Sequence, residues 1–350
     1  MTLQERIAAP SAMLARVDAV ATEQLTPLVR EIDAGLYPQD VMHAFGTAGA
    51  FGSHVAPDTK MGDTIQAIAR SGEECISTAF CMWCQNALAW YVASSDNAAL
   101  KSTLLPKVAS GQALGGTGLS NPMKTFFGIE KMRLKGRRVD GGYTVKGALP
   151  WVSNVGEDGY FGIVFSVEEE GKIKHVMAVA RGDQPGVKTA LDHDFMSMAG
   201  TATRTVQFRD ALIEDLFVLA DPIDGYLQKI RPGFVLMQTG MALGMIRSSI
   251  KLMEQVRRQL GHVNKYLEKQ PEDFADLLDE LEAEIMELAK TPYDTSIAYF
   301  RRVITARLRG GEASTEAAHF AMLHCGGDTR HQTTSQNAGR PARSLERNTT

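Results

Sequence analysis

A run of β character lodged between two helical blocks most constrains what this 350-residue chain can fold into. Residues 114–154 carry it: two hydroxyl-bearing segments, Leu119-Ser120-Asn121-Pro122 and Trp151-Val152-Ser153-Asn154, bracket a hairpin-like stretch. Arg133, Lys135 and Arg137 alternate with apolar or small residues, Asp140-Gly141-Gly142 signals a hairpin turn, and Tyr143-Thr144-Val145 restarts a strand. Residues 160–167 and 173–180 predict a second hairpin around Glu170-Gly171, and residues 203–208 a further alternating strand. Short strands with turn signals and no interleaved helices predict a small antiparallel barrel or sandwich.

The flanks carry the helical period instead. Leu14, Val17, Ala21, Leu25, Leu28 and Ile32 recur at three- and four-residue spacing, with a kink expected near Thr26 because Pro27 interrupts them. Pro38 suits the first turn of a second helix, which Gly49 and Gly52 stop. Residues 64–74 and 77–94 predict two more helices, the latter with Phe80, Trp83, Ala87 and Trp90 on one apolar stripe. After the β region, residues 233–260 read as one helix, where Gly240 and Gly244 allow close helix contact. Phe274, Leu278, Leu281, Ile285 and Leu288 form the seam of a bundle helix or coiled pair. Beyond Pro292, one helical run reaches Arg309 and a last one covers residues 314–323.

The fold class this predicts is α+β and mostly helical. An N-terminal helical domain (1–112) is followed by a middle β domain (113–224) and a C-terminal helical bundle (225–325). Residues 326–350 contain too little apolar surface to pack and read as a flexible tail.

With 44% hydrophobic and 22% charged residues and a net charge of −4, the chain reads as globular, without the basic surface of a nucleic-acid or anionic-membrane partner. Its N-terminus lacks a signal-peptide pattern, and its most apolar run, residues 234–246, is too short to span a bilayer. Four cysteines in a chain of this length suit a reducing compartment, the cytoplasm. Cys81 and Cys84 have C-x-x-C spacing but sit inside an apolar helical run, which points to core packing rather than metal or redox work. The acidic positions around the 274–288 seam read as a solvated face.

Five strings occur in an order that resembles the acyl-CoA dehydrogenase superfamily of flavoproteins. They are residues 105–111 (LPKVASG), Leu119-Ser120-Asn121-Pro122, Lys146-Gly147 with Trp151-Val152-Ser153-Asn154, residues 203–217 (TRTVQFRDALIEDLF), and Gly240 to Gly244. The resemblance runs from about Pro38 to Gly327. It implies FAD, with FMN as the variant, held by Leu119, Ser120, Trp151, Val152 and Ser153. A flavin is planar and apolar with a polar rim, so its site needs a flat hydrophobic wall and a few short polar groups. Trp151 matches the wall, Ser153 the contact to the reactive ring nitrogen, and Ser120 the pyrimidine rim.

The resemblance further implies an acyl-CoA or related small-molecule substrate oxidised at Cα–Cβ, and a homodimer or homotetramer formed through the bundle. Some positions depart from the family. Its catalytic glutamate has no match, since Asp328 and Glu346 stand outside the expected context and the alternative position falls near Phe234. Thr125-Phe126-Phe127 replaces a Gly-Ser-Asp near the phosphates, and Leu260-Gly261-His262-Val263 replaces an arginine clamp. His324, beside Gly326-Gly327, is the remaining candidate base. Two other readings follow: a flavin-dependent monooxygenase, for which no carboxylate base is obligatory, and a catalytically degenerate binding or assembly homologue.

Overall fold

The computed structural model of the chain describes residues 11–56, 58–191 and 193–326. Its first helical stretch changes geometry around Pro27. Helix α1 (Ala12–Val20) widens into a π turn at Ala21–Leu25 and tightens to a 3-10 turn at Thr26–Leu28 before α2 (Val29–Asp33) resumes. Proline has no N–H to donate, so the ladder must re-form around it. Helix α3 (Gln39–Ala48) ends on Gly49, whose φ of +95° is the left-handed cap that glycine adopts without steric cost. Then come α4 (Met61–Glu74), α5 (Ile76–Ser94) and α6 (Ala98–Ala109).

Helix α5 is the axis of the molecule. The sequence predicts one apolar stripe along it, but 16 of its 19 residues are buried, because neighbours surround it on all sides. Its polar residues are therefore placed with partners. Gln85 donates to the carbonyls of Val108 and Ala113 and accepts the N–H of Gly115, so one buried amide holds the following strand onto the helix. Cys81 and Cys84 lie fully buried within it, and burial pushes both thiols up, as core packing predicts.

His54 packs against the same helix, fully buried, with Nε2 2.9 Å from the Asn86 carbonyl and Nδ1 3.2 Å from the Thr64 hydroxyl. Burial lowers its pKa from 6.5 to about 4. The folded chain thus binds this proton less readily than the unfolded chain. The stabilisation is complete above about pH 6.5 and is lost as pH falls toward 4. We expect stability to drop by about 3 kcal/mol across that window, and His54→Phe to flatten the slope in urea titrations at stepped pH. A parent slope of zero between pH 6.5 and 4 would contradict this.

The middle region holds β1 (Gly115–Thr117), the short helix α7 (Ser120–Phe126), β2 (Lys135–Val139), β3 (Gly142–Val152), β4 (Tyr160–Glu169), β5 (Lys172–Arg181), β6 (Val187–Ala190), β7 (Arg204–Glu214) and β8 (Val218–Ala220). They form one sheet in the order β6-β7-β3-β2-β4-β5-β8, with β1 on β4. Both predicted hairpins are present, β2–β3 and β4–β5. The sheet is mixed rather than purely antiparallel, because β1 and β2 each pair with β4 in parallel. Hairpin turn signals report only strands joined by a turn, and these two pairings join strands distant in sequence. Strands β4 and β5 are buried on both faces. Phe161, Ile163 and Phe165 enter the β core, whereas Val164, Met177 and Val179 pack on the helices.

The bundle comprises α8 (Asp224–Leu236), α9 (Thr239–Asn264), α10 (Pro271–Leu288) and α11 (Ile297–Cys325). The single helix expected over 233–260 is two, parted at Met237 and Gln238. The two runs expected after Pro292 are one continuous helix through Gly310. Packing overrides the weak glycine propensity there, since a Cβ on Gly310 would come within 3.2 Å of Ala242 on α9. Gly240 and Gly244 do bring helices close: their Cβ atoms would lie 2.6 and 2.4 Å from the carbonyls of Ile65 and Ala69 on α4. The 274–288 seam is buried throughout. Its acidic flank is partly ion-paired: Arg247 reaches Glu282 at 2.7 Å, and Arg309 reaches Glu284 at 2.6 Å. Among the described residues no helix is long and apolar enough to cross a membrane. The expected tail lies outside the described residues apart from Gly326.

Candidate functional site

The two segments that bracket β2 and β3 in sequence meet in space. Thr117, at the end of β1, and Ser153, just past β3, form an antiparallel bridge. Gly116 makes this approach possible, since a Cβ there would sit 1.9 Å from the Ser153 carbonyl oxygen. Asn154 follows in the left-handed region at φ 58° and ties three elements together. Its side-chain oxygen accepts from the Tyr37 hydroxyl at 2.8 Å, its amide donates to the Gly115 carbonyl at 2.6 Å, and its backbone N–H donates to the Thr201 carbonyl. Thr117 in turn contacts the Tyr91 hydroxyl of α5 at 3.0 Å. Burial holds both phenols well above their usual range, so both remain hydrogen-bond donors.

Of the five residues the sequence singles out, two expose their side chains at this junction and a third lies just beneath its surface. Trp151 is 47% exposed, and Ser120 is exposed at the first residue of α7. Ser153 is nearly buried, its Oγ 2.7 Å from Thr203 Oγ1. Leu119 and Val152 point into the core, so only their backbone groups can meet a ligand. Ser120 and Trp151 line one small cavity with Lys124, Glu130 and Arg133, about 30 Å³ in volume. That is room for one water. A flavin ring is too large to enter it.

The ring side fits a flavin in this way: an exposed indole, a hydroxyl at the strand end, and backbone amides held by the Thr117–Ser153 bridge. The phosphate side is different. The cations beside Ser120 are already engaged, Lys124 with Glu130 at 3.0 Å and Arg133 with Glu130 at 3.6 Å. A phosphate would compete with that carboxylate. Phe127 is 67% exposed where the resemblance implies an aspartate.

His324 lies elsewhere. It is buried at the end of α11, with Nε2 3.0 Å from the Lys269 carbonyl, while its own carbonyl accepts from Asn264 at the end of α9. Tyr91, which contacts Thr117, packs against Phe234 just before the start of α9. At 1.5 Å per residue the 26 residues of α9 separate those two ends by about 39 Å. These contacts describe a tie between α11 and the α9–α10 turn.

Sequence reasoning missed four neighbours of the candidate site. The His193 ring stacks on Trp151 with centroids 4.1 Å apart, and Phe195 lies 6.1 Å from the same indole. Thr201 and Thr203 continue a line of hydroxyls from Ser153. The Thr-x-Thr spacing was visible, but nothing in it shows that the threonines face a serine fifty residues earlier.

The sequence model described as acyl-CoA dehydrogenase, N-terminal domain, matches residues 9–112. A curated relative, "Probable acyl-CoA dehydrogenase YngJ" of Bacillus subtilis (strain 168), is 23% identical over 332 residues, 88% of this chain and 85% of that protein. Among solved structures, butyryl-CoA dehydrogenase from Megasphaera elsdenii superposes with a TM-score of 0.81 at 15% identity, covering 93% of this chain and 90% of its own. Dibenzothiophene monooxygenase (TdsC) from Paenibacillus sp. A11-2 gives 0.77 at 15% identity, covering 91% and 88%. The resemblance to the acyl-CoA dehydrogenase superfamily read from the sequence is borne out. Residues 9–112 match the model of that superfamily's N-terminal domain, and the fold as a whole is that of the solved structures named above.

Proposed function

We propose that the chain is an acyl-CoA-dehydrogenase-like flavin oxidoreductase that acts at Cα–Cβ of an acyl thioester or related substrate. FAD is the expected cofactor, with FMN as the variant. The observation that carries this reading is the half-exposed Trp151 indole held beside Ser153 and Ser120 by the Thr117–Ser153 bridge. Trp151 would hold the ring by contact, Ser153 its reactive edge, and Ser120 with nearby amides its polar rim. When bound, the flavin supplies the capacity to take up a hydride. We take the units to be 1–112, 113–224 and 225–325, working as a cytoplasmic homodimer or homotetramer. Exposed Ile297, Leu308, Met322 and Leu323 along α11 support association through the bundle.

A specific observation favours a second reading, a flavin-dependent monooxygenase. At the bundle-helix position where the family can carry its base, this chain has Phe234, 8% exposed and packed on Trp83 at 5.1 Å. No proton abstraction is available from that side chain. The same fold is also that of a dibenzothiophene monooxygenase.

Absorbance of the purified chain in the flavin bands tests the common part. A well-folded preparation that binds neither FAD nor FMN would leave only a binding or assembly role. Anaerobic bleaching by a panel of acyl-CoAs supports the dehydrogenase, and oxygen-dependent product from supplied reduced flavin the monooxygenase. Trp151→Ala should weaken FAD binding by about tenfold, the loss of one aromatic contact and its buried area, with little change in melting temperature. Unchanged affinity in a fluorescence titration would remove Trp151 from the site.

A further inference from the structure

Three hydroxyls run inward from the candidate site in one line. Ser153 Oγ is 2.7 Å from Thr203 Oγ1, which is 2.8 Å from Thr201 Oγ1, which is 2.9 Å from the carbonyl oxygen of Met198. All three residues are more than nine-tenths buried. Each hydroxyl has one proton, and a carbonyl can only accept. Three contacts in series that end on a carbonyl can be satisfied in only one sense. Thr201 donates to Met198, Thr203 donates to Thr201, and Ser153 donates to Thr203. A reversal anywhere leaves two lone pairs facing each other at hydrogen-bond distance.

The proton of Ser153 is therefore committed to the protein interior, and its oxygen presents only lone pairs to the site. We infer that Ser153 acts as a hydrogen-bond acceptor and that Thr203 and Thr201 are the positioning residues that fix this polarity, so that the site prefers reduced over oxidised flavin. The inference rests on the flavin reading above. Reduction of the isoalloxazine ring converts its central N5 from an acceptor to an N–H donor. Against an acceptor-only Ser153 the reduced form gains a hydrogen bond, while the oxidised form meets two lone pairs or forces the line of hydroxyls to break. Such a network is stabilising when fully satisfied and costly when one member is reversed.

The test compares affinities of the full chain for oxidised and reduced FAD by anaerobic equilibrium dialysis, in parent, Thr203→Val and Thr203→Ser proteins. Thr203→Val removes the acceptor of the Ser153 proton and frees it to turn outward. The preference for reduced over oxidised FAD should then fall about tenfold. By linkage the potential of the bound flavin should fall by about 30 mV for a two-electron couple. Thr203→Ser keeps the line intact and should restore the parent ratio, which a merely structural threonine would not require. If Thr203→Val does not fold, Thr201→Val supplies the same comparison, because Thr203 then turns its own proton toward Ser153. Equal ratios in parent and valine variants, with flavin still bound, would overturn the inference alone. Failure of the parent to bind FAD in either state would overturn it together with the functional reading.

Discussion

Gly116→Ala is expected to destabilise the chain by about 4 kcal/mol and to abolish flavin binding. The added Cβ would sit 1.9 Å from the Ser153 carbonyl oxygen and 3.1 Å from its carbonyl carbon. These are backbone atoms, so no rotamer change relieves the overlap. The bridge between Thr117 and Ser153 must open, which costs its hydrogen bonds and moves Trp151 and Ser153 relative to Ser120. Overpacking in a tight region costs about 1–3 kcal/mol, and the broken pairing adds about 1 kcal/mol per bond. Urea unfolding gives the first number and FAD titration the second. A variant within about 1 kcal/mol of the parent, still binding flavin, would show that the bridge does not hold the site together.

Trp90→Ala should cost a similar amount, about 4 kcal/mol, by a different route. The indole is fully buried, donates Nε1–H to the Ile230 carbonyl at 2.9 Å, and stacks on Tyr293 at 4.6 Å. Gly233 makes room for it, because a Cβ there would fall 2.6 Å from the ring. Alanine leaves a cavity between α5 and α8 and removes the donor to the Ile230 carbonyl. Trp90→Phe keeps most of the volume and should recover about half of the loss. Chemical denaturation of both variants checks the pair. Equal losses would show that shape matters less here than the hydrogen bond.

The fold was legible where structure depends on neighbours in sequence. The β4–β5 hairpin, the seam of α10 and the change of turn at Pro27 each follow from residues a few positions apart. Long-range packing produced the departures. Gly310 stays helical because α9 lies against it, and β1 joins β4 in parallel because Gln85 docks it onto α5. At the candidate site, the resemblance pointed to Trp151 and Ser153 but not to the direction we infer for the Ser153 hydrogen bond. That direction depends on Thr203, which the pairing of β3 with β7 brings alongside, and on a carbonyl at Met198 that no side-chain pattern reveals.

Helix α5 holds several of the elements that carry the candidate site. Gln85 fixes β1, Tyr91 meets Thr117, and Trp83 and Trp90 donate to carbonyls of α8. Displacing one of these contacts displaces the others, because a single rigid rod carries them all. Robustness and reactivity in this chain therefore share one set of coordinates. A substitution along α5 selected for heat tolerance will also retune the site, and directed evolution of one property through this helix will drag the other with it.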